Sequence, residues 1–264
     1  QTCALPIFFS EANLQSGIRY CQENKPAQLQ NLIQNGYLSP DSVVPNFQTK
    51  SLQRHQVPLI SIAVYSDSLE CVKILIKSGA NIEKEDNNGS KPIHWCCLFG
   101  HYKILEVLLN VGADPNPTNN PSVSSPLLIA AKNGRSECLK LILGKGVNVN
   151  QQDGTGRSAL HLASWFGHLQ LVQILLDYKA EINLQENEGH TPLHLACWFG
   201  YIKICELLEK KNASLDALDH FGRTPLHFAV QHNRIDVVEF LLKSGATFDI
   251  KDCNGKTPED LAVT

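Results

Sequence analysis

One register dominates this chain. Reading the motif Thr-Pro-Leu-His at its second position, the residues in line are Leu59, Pro92, Pro126, Ala159, Pro192, Pro225 and Pro258, with successive separations of 33, 34, 33, 33, 33 and 33. A fixed period of this length sustained over most of a chain means stacked copies of one supersecondary unit, none able to bury its apolar face alone. Few folds are compatible with it.

The unit is legible in Gly189 to Gly200. Thr191 can cap a helix with its hydroxyl, and Pro192 suits the first helical position, where its missing N–H would have no partner anyway. Leu193, Ala196 and Cys197 then fall at helical spacing on one face, and Gly200 stops the helix after little more than two turns. Such a helix is too short to stand alone in water. A second apolar segment, Ile202 to Leu208, follows directly, so the spacing predicts a pair of helices that leans on its neighbours.

These motifs resemble the ankyrin-repeat family, whose unit is a β-turn finger followed by two antiparallel helices. Thr191-Pro192-Leu193-His194 and Thr224-Pro225-Leu226-His227 match in full; Ser158-Ala159-Leu160-His161 and Lys91-Pro92-Ile93-His94 are close. The resemblance runs from about Leu52 to Thr264 and implies an all-α solenoid with short β-turn fingers. Residues 51–264 are expected to form the array, about seven repeats with the last cut short, and residues 8–50 a divergent first repeat followed by a loop. In that first repeat Leu29 to Gly36 has the shape of a second helix with its glycine stop, and Tyr37 to Gln56, interrupted by Pro40 and Pro45, is expected to be an elongated loop. Residues 1–7 resemble a translated sequencing adaptor, so the chain is expected to be a fragment, poorly soluble because its final repeat lacks a cover.

Two further departures from regularity carry expectations. Asp114 to Pro121 holds the one extra residue of the series and three prolines, which predicts an irregular finger. At the exit of the second helix, where a left-handed residue is wanted, Asn212 is a tolerable replacement for glycine, whereas Lys179 should cost on the order of 1 kcal/mol. Leu175, Leu176, Leu207, Leu208, Leu241 and Leu242 are expected to be buried, each contributing roughly 1.5–3 kcal/mol.

Composition excludes several functions. A net charge of −3 offers no electrostatic case for nucleic acid or an anionic membrane, and no apolar run approaches the length of a membrane span. Of the nine cysteines, Cys71, Cys96, Cys97, Cys138, Cys197 and Cys205 sit within apolar helical patterns. They read as reduced, packed thiols of a cytoplasmic or nuclear protein.

Ten histidines suggest an enzyme or a metal centre until they are placed in register. His94, His161, His194 and His227 share one repeat position, and a residue recurring every repeat is framework; in the family such a histidine bonds to neighbouring backbone. The cluster His94, Cys96, Cys97 and His101 lacks zinc-ligand spacing, and Cys197 beside His194 has nothing to lower its pKa. No phosphate loop, paired-carboxylate motif or nucleophile elbow is present. No catalytic residue, cofactor or metal is therefore expected.

The informative positions are those the framework does not need. The resemblance implies a groove lined by first-helix ends and finger tips that binds other proteins. The helix-end pairs are Tyr65/Ser66, Leu98/Phe99, Lys132/Asn133, Trp165/Phe166, Trp198/Phe199 and Gln231/His232; the tips contribute Arg157, His190, Phe221 and Arg223 beside Asn87, Asn88, Asn187, Glu188 and His220. Trp and Tyr are typical anchors of binding hot spots, though the rings could equally pack on one another. The expected function is a monomeric protein–protein interaction scaffold or adaptor taking a mixed, partly apolar partner. The alternative is the recruiting or regulatory arm of a larger enzyme, such as a kinase or ubiquitin ligase, or of a channel.

Overall fold

Each pass of the register becomes the same local structure. At Thr191 the backbone is extended, its N–H donates to Nδ1 of His194 (3.1 Å), and helix begins at Pro192. The helix ends at Gly200, which adopts φ 80° and donates to the Ala196 carbonyl (3.0 Å). The computed structural model describes residues 10–49, 53–117 and 123–262. The expected adaptor residues 1–7, Leu52, Thr118–Pro121 of the proline-rich finger and the last two residues lie outside these.

The chain forms two compact units, one up to Pro126 and one from Leu127. The first holds α1 (Glu11–Gln22), α2 (Pro26–Gln34), β1 (Val43–Gln48), β2 (Gln53–Pro58), α3 (Leu59–Tyr65), α4 (Leu69–Lys77), α5 (Pro92–Phe99) and α6 (Tyr102–Asn110). First helices α1, α3 and α5 stack in sequence, and second helices α2, α4 and α6 stack behind them. In the second unit α7 (Pro126–Lys132) and α8 (Ser136–Gly144) are followed by α9 (Ala159–Trp165), α10 (Leu169–Asp177), α11 (Pro192–Phe199), α12 (Ile202–Lys210), α13 (Pro225–Gln231) and α14 (Ile235–Lys243). There α9, α11 and α13 form one layer and α8, α10, α12 and α14 the other, ahead of a 3-10 turn at Glu259–Leu261. The fold is thus an all-α stack of helix-turn-helix repeats.

The core is the contact surface between the layers. Leu75, Leu105, Leu108 and Ile104 are sealed in the first unit, Leu139, Leu175, Leu208 and Leu241 in the second. Each of these should contribute about 2 kcal/mol through the apolar area removed from water. Two of the expected core leucines differ. Leu207 is half-buried, and Leu242 is 45% exposed, lining with Ile235, Phe248, Leu226, Val230 and Pro258 an open groove beside α14.

The expected loop between Tyr37 and Gln56 is instead partly an antiparallel hairpin. β1 pairs with β2 in the register Val44↔Val57, Asn46↔His55 and Phe47↔Arg54. Pro45 is accommodated because the ladder is interrupted there: opposite it Gln56 takes φ 51° and neither residue has a partner in the register. The hairpin replaces the first finger. Its His55 carbonyl accepts from the Asn87 N–H (3.2 Å), the same link that Thr155 makes to Asn187 (3.1 Å) and Glu188 to His220 (3.0 Å). Fingers are therefore joined by backbone bonds, and the approach is close. A Cβ on Gly189 would lie 2.7 Å from the His220 nitrogen, which, with φ 85°, is why that tip is glycine.

Candidate protein-binding surface

The repeated histidines serve the scaffold. In His161, His194 and His227, Nδ1 accepts from the N–H of the capping Ser158, Thr191 or Thr224 at 3.2, 3.1 and 3.0 Å. With Nδ1 accepting, the proton sits on Nε2, which donates to the carbonyl of His190, Arg223 or Lys256 in the following finger at 3.1, 3.1 and 3.2 Å. Each histidine thus closes a helix start and ties down the next finger. Burial pushes the pKa of His94, His161 and His194 down to about 4, so these rings are neutral. The thiol of Cys197, fully buried 3.8 Å from that of Cys205, is pushed up by burial and by that neighbour. That is the opposite of an activated nucleophile.

The fingers of the second unit follow an unexpected rule. An acid opens each one and a base stands four residues on: Asp153 and Arg157, Glu186 and His190, Asp219 and Arg223, Asp252 and Lys256. One carboxylate oxygen of each acid accepts backbone N–H groups of its own turn, as Asp219 does from Phe221 (2.9 Å) and Arg223 (2.8 Å). Arg223 also donates to the other Asp219 oxygen through Nε (2.8 Å) and Nη2 (2.7 Å). Burial raises the Asp219 carboxyl, but hydrogen bonds from His190 and Arg223 outweigh it and hold the acid well below the usual carboxylate range.

His190 departs from its expected role. Placed at a finger tip by the sequence, it is buried, with Nδ1 2.9 Å from Glu186 and Nε2 3.4 Å from Asp219 of the next finger. It bridges fingers and offers no surface. Among the described residues one group, Glu186, Glu188 and His190, brings potential metal-ligand atoms within 4.8 Å of one another. Its central Glu186 oxygen already accepts from the N–H groups of Glu188 (3.0 Å) and His190 (3.1 Å) as well as facing the ring, so its donor capacity is spent.

The helix-end residues divide between the two units. In the first, Tyr65 meets Phe47 at 5.4 Å, Trp95 at 6.2 Å and Phe99 at 5.1 Å between ring centroids. Trp95 and Phe47 are only 2% and 4% exposed, whereas the helix-end rings Tyr65 and Phe99 are half-buried, as is Leu98. In the second unit the half-buried rings form a run. Trp165 lies 5.3 Å from Phe199 and 6.2 Å from Trp198; Trp198 stacks on His232 at 4.7 Å and packs on Phe228 at 5.5 Å. An arginine stands at either end: Arg157 4.4 Å from the Trp165 ring and Arg223 4.5 Å from Phe228.

The remaining candidates lie off that run. Phe166, exposed, stacks with His168 at 6.3 Å and carries the Lys132 ammonium 6.0 Å from its ring. Asn133 uses its amide to bind the Ile129 carbonyl (2.8 Å) and so finishes α7. Gln231 is exposed, and Phe221, also exposed, sits 5.0 Å from Arg223. Two residues escaped the sequence reading, Trp95 and Phe228. They occupy the position after the capping histidine, where Leu162 and Leu195 stand in other repeats, and that break in the register was a usable signal.

Similarity to known proteins agrees with this architecture. The family model for ankyrin repeats (3 copies) matches residues 18–119, 127–219, 180–252 and 211–264, and the chain belongs to the ankyrin-repeat family. It is 34% identical over 128 residues to the nuclear factor NF-kappa-B p105 subunit of Gallus gallus, a match covering 47% of this chain and 13% of that protein. Protein phosphatase 1 regulatory subunit 27 of Homo sapiens is 45% identical over 58 residues, covering 22% of this chain and 38% of the relative. Potassium channel AKT2/3 of Arabidopsis thaliana is 34% identical over 95 residues, covering 36% and 11%. The chain thus spans well under half of the length of these relatives. Ankyrin repeats are generally protein-interaction modules. Among the described residues no helix is long and apolar enough to cross a membrane.

Proposed function

We propose that the second unit is a protein-binding module and that the run Trp165, Phe199, Trp198 and His232 is its contact surface, acting as scaffold or adaptor without chemistry of its own. The observation that carries this is the continuity of half-buried rings across α9, α11 and the end of α13. These rings keep accessible area next to arginine, the composition of binding hot spots. The partner is a protein or peptide segment with some apolar character, neither nucleic acid nor membrane, met in the cytoplasm or nucleus by a monomeric array. The role of Tyr65, Leu98 and Phe99 in this reading is minor, and that of Lys132, Asn133, Phe166, Gln231 and Phe221 peripheral.

Proximity labelling with the intact protein, set against a Trp165→Ala/Trp198→Ala variant, tests the proposal. Labelled neighbours should disappear from the variant while it still melts cooperatively, above the temperature of the labelling. Unchanged labelling would assign the rings to packing.

A second reading is favoured by the coverage of the relatives. In the p105 subunit and the potassium channel the matched segment is 13% and 11% of a much longer chain. The repeats described here would then be the recruiting or regulatory arm of a larger enzyme or channel, and the same surface would select what that protein acts on or answers to. The complete reading frame decides between the two.

A further inference from the structure

The bases of the four fingers are not equivalent. Arg223 gives its charge to Asp219, which has no exposed side-chain surface, and His190 lies between Glu186 and Asp219. Lys256 is exposed to water. Arg157 differs from all three. Its own acid, Asp153, turns Oδ1 to the Thr155 hydroxyl (2.6 Å) and to the N–H groups of Thr155 (2.9 Å) and Arg157 (3.0 Å). Glu186 of the next finger, the acid that Arg157 would reach if it followed the bridging pattern of His190, is already held by His190. Among the described residues no acceptor meets the Arg157 guanidinium, and its buried Nε is unpartnered. What holds it is the Trp165 ring, 4.4 Å away.

We infer that Arg157 is a carboxylate receptor, and that the partner segment carries an Asp or Glu side chain, or a chain-terminal carboxylate, next to an apolar residue that lies on Trp165 and Phe199. The inference rests on the reading of the aromatic run as a contact surface and adds its charge chemistry. A guanidinium fixed against an indole is already ordered and partly stripped of water, so it loses little on meeting a planar carboxylate through its terminal nitrogens. One cation matches one monoanion. A phosphate dianion fits less well, because Asp153 and the exposed Glu188 add negative charge to the same fingers. The Trp165 face supplies the apolar half of the site, and the arginine explains why the site is not simply greasy.

The test is selection of a random displayed peptide library on the immobilised full chain, run in parallel on Arg157→Glu, Lys256→Glu and Trp165→Ala/Trp198→Ala, with a thermal melt of each. The wild type and Lys256→Glu should enrich Asp or Glu beside an aromatic or aliphatic residue. Arg157→Glu, with the same change in net charge, should lose that preference or invert it to Lys or Arg, and should bind the best wild-type peptide about tenfold or more weakly. If the reversal unfolds the unit, Arg157→Gln replaces it, with the same expected loss. Peptides that depend on the tryptophans but show no acidic preference, or an acidic preference that survives both Arg157 variants, would overturn the inference and leave the contact surface standing. No enrichment over the double tryptophan variant would remove both. A chain that dimerises in sedimentation and thereby blocks the peptides would give the surface to a second copy and also overturn it.

Discussion

The two units run the same register to different ends. At the ends of its first helices the first unit places Tyr65 and Phe99, the second Trp165, Trp198 and Phe199. Sequence position alone would give them one role. In the first unit the hairpin adds Phe47 and the leucine position adds Trp95, two sealed rings against the half-buried Tyr65 and Phe99. The second unit has a short finger and leucines at Leu162 and Leu195, so Trp165 takes Arg157, Trp198 and Phe199 as its neighbours, while the sealed Phe228 packs on Trp198. The two clusters thus differ in what lies against the helix-end rings: sealed Trp95 and Phe47 in the first unit, Arg157 beside Trp165 in the second.

The histidine ladder separates the units further, and acid should widen the gap. His161 and His194 are held neutral, with pKa pushed down to about 4 by burial. Between that value and the ordinary 6.5 the unfolded chain binds protons that the folded one does not, so stability falls as pH drops from about 6.5 to about 4 and then levels. Each ring should account for roughly 3 kcal/mol over that window. The second unit, with two such rings and His227 also lowered by burial, should lose about 6 kcal/mol, while the first loses about half as much through His94. Urea unfolding at pH 7.5 and pH 4.5, followed by hydrogen exchange in each unit, measures this; equal losses would break the comparison. His94 is also the member whose Nε2 has no partner among the described residues, where the proline-rich finger follows.

Truncating the rings comes next in size. Trp95→Ala removes a sealed ring, leaves a cavity and should cost the first unit about 3–5 kcal/mol. Trp165→Ala removes a half-buried ring and should cost the second unit about 1–2 kcal/mol, since part of that surface already faces water. Trp198→Ala falls between, because its ring packs on Phe228 and His232. Denaturant midpoints with unchanged m-values would rank the three. A Trp165 variant as damaging as the Trp95 one would mean that both clusters are core.

A finger glycine gives a smaller effect. Gly189→Ala must place a Cβ 2.7 Å from backbone at φ 85°, and should cost about 2 kcal/mol in the second unit. Thermal melts of this variant also show whether fingers and helices unfold together; a separate early transition would make the fingers an independent layer.

The repeat, its caps and its exits were legible because they depend on local chemistry. Thr191 with Pro192 starts a helix and Gly200 ends one wherever the chain places them. The hairpin was hidden because Pro45 reads as a breaker, and only the pairing partner shows that the ladder skips that residue. His190 was misplaced for a related reason. A histidine at a finger position looks exposed until Glu186 and Asp219 of two different fingers close around it. The free charge of Arg157 is likewise invisible locally, since it follows from which of its neighbours had already claimed the acids. Relations between repeats, not within them, are what one register cannot show.

The smallest effect isolates backbone conformation from packing. The second-helix exits of the two units are superposable in kind: Gly79 has φ 89° and Lys179 φ 66°, and a Cβ built on Gly79 meets nothing within 4 Å. Since space does not restrict this exit, the residue there matters only through the cost of the left-handed region, which glycine enters freely and lysine does not. Lys179→Gly should therefore stabilise the second unit by about 1 kcal/mol, and Gly79→Lys should destabilise the first by about as much. A pair of thermal melts checks both. Opposite and equal shifts would show that the units share one exit geometry despite their different surfaces. A Lys179→Gly variant that gained nothing would mean that the lysine side chain makes good its backbone cost there.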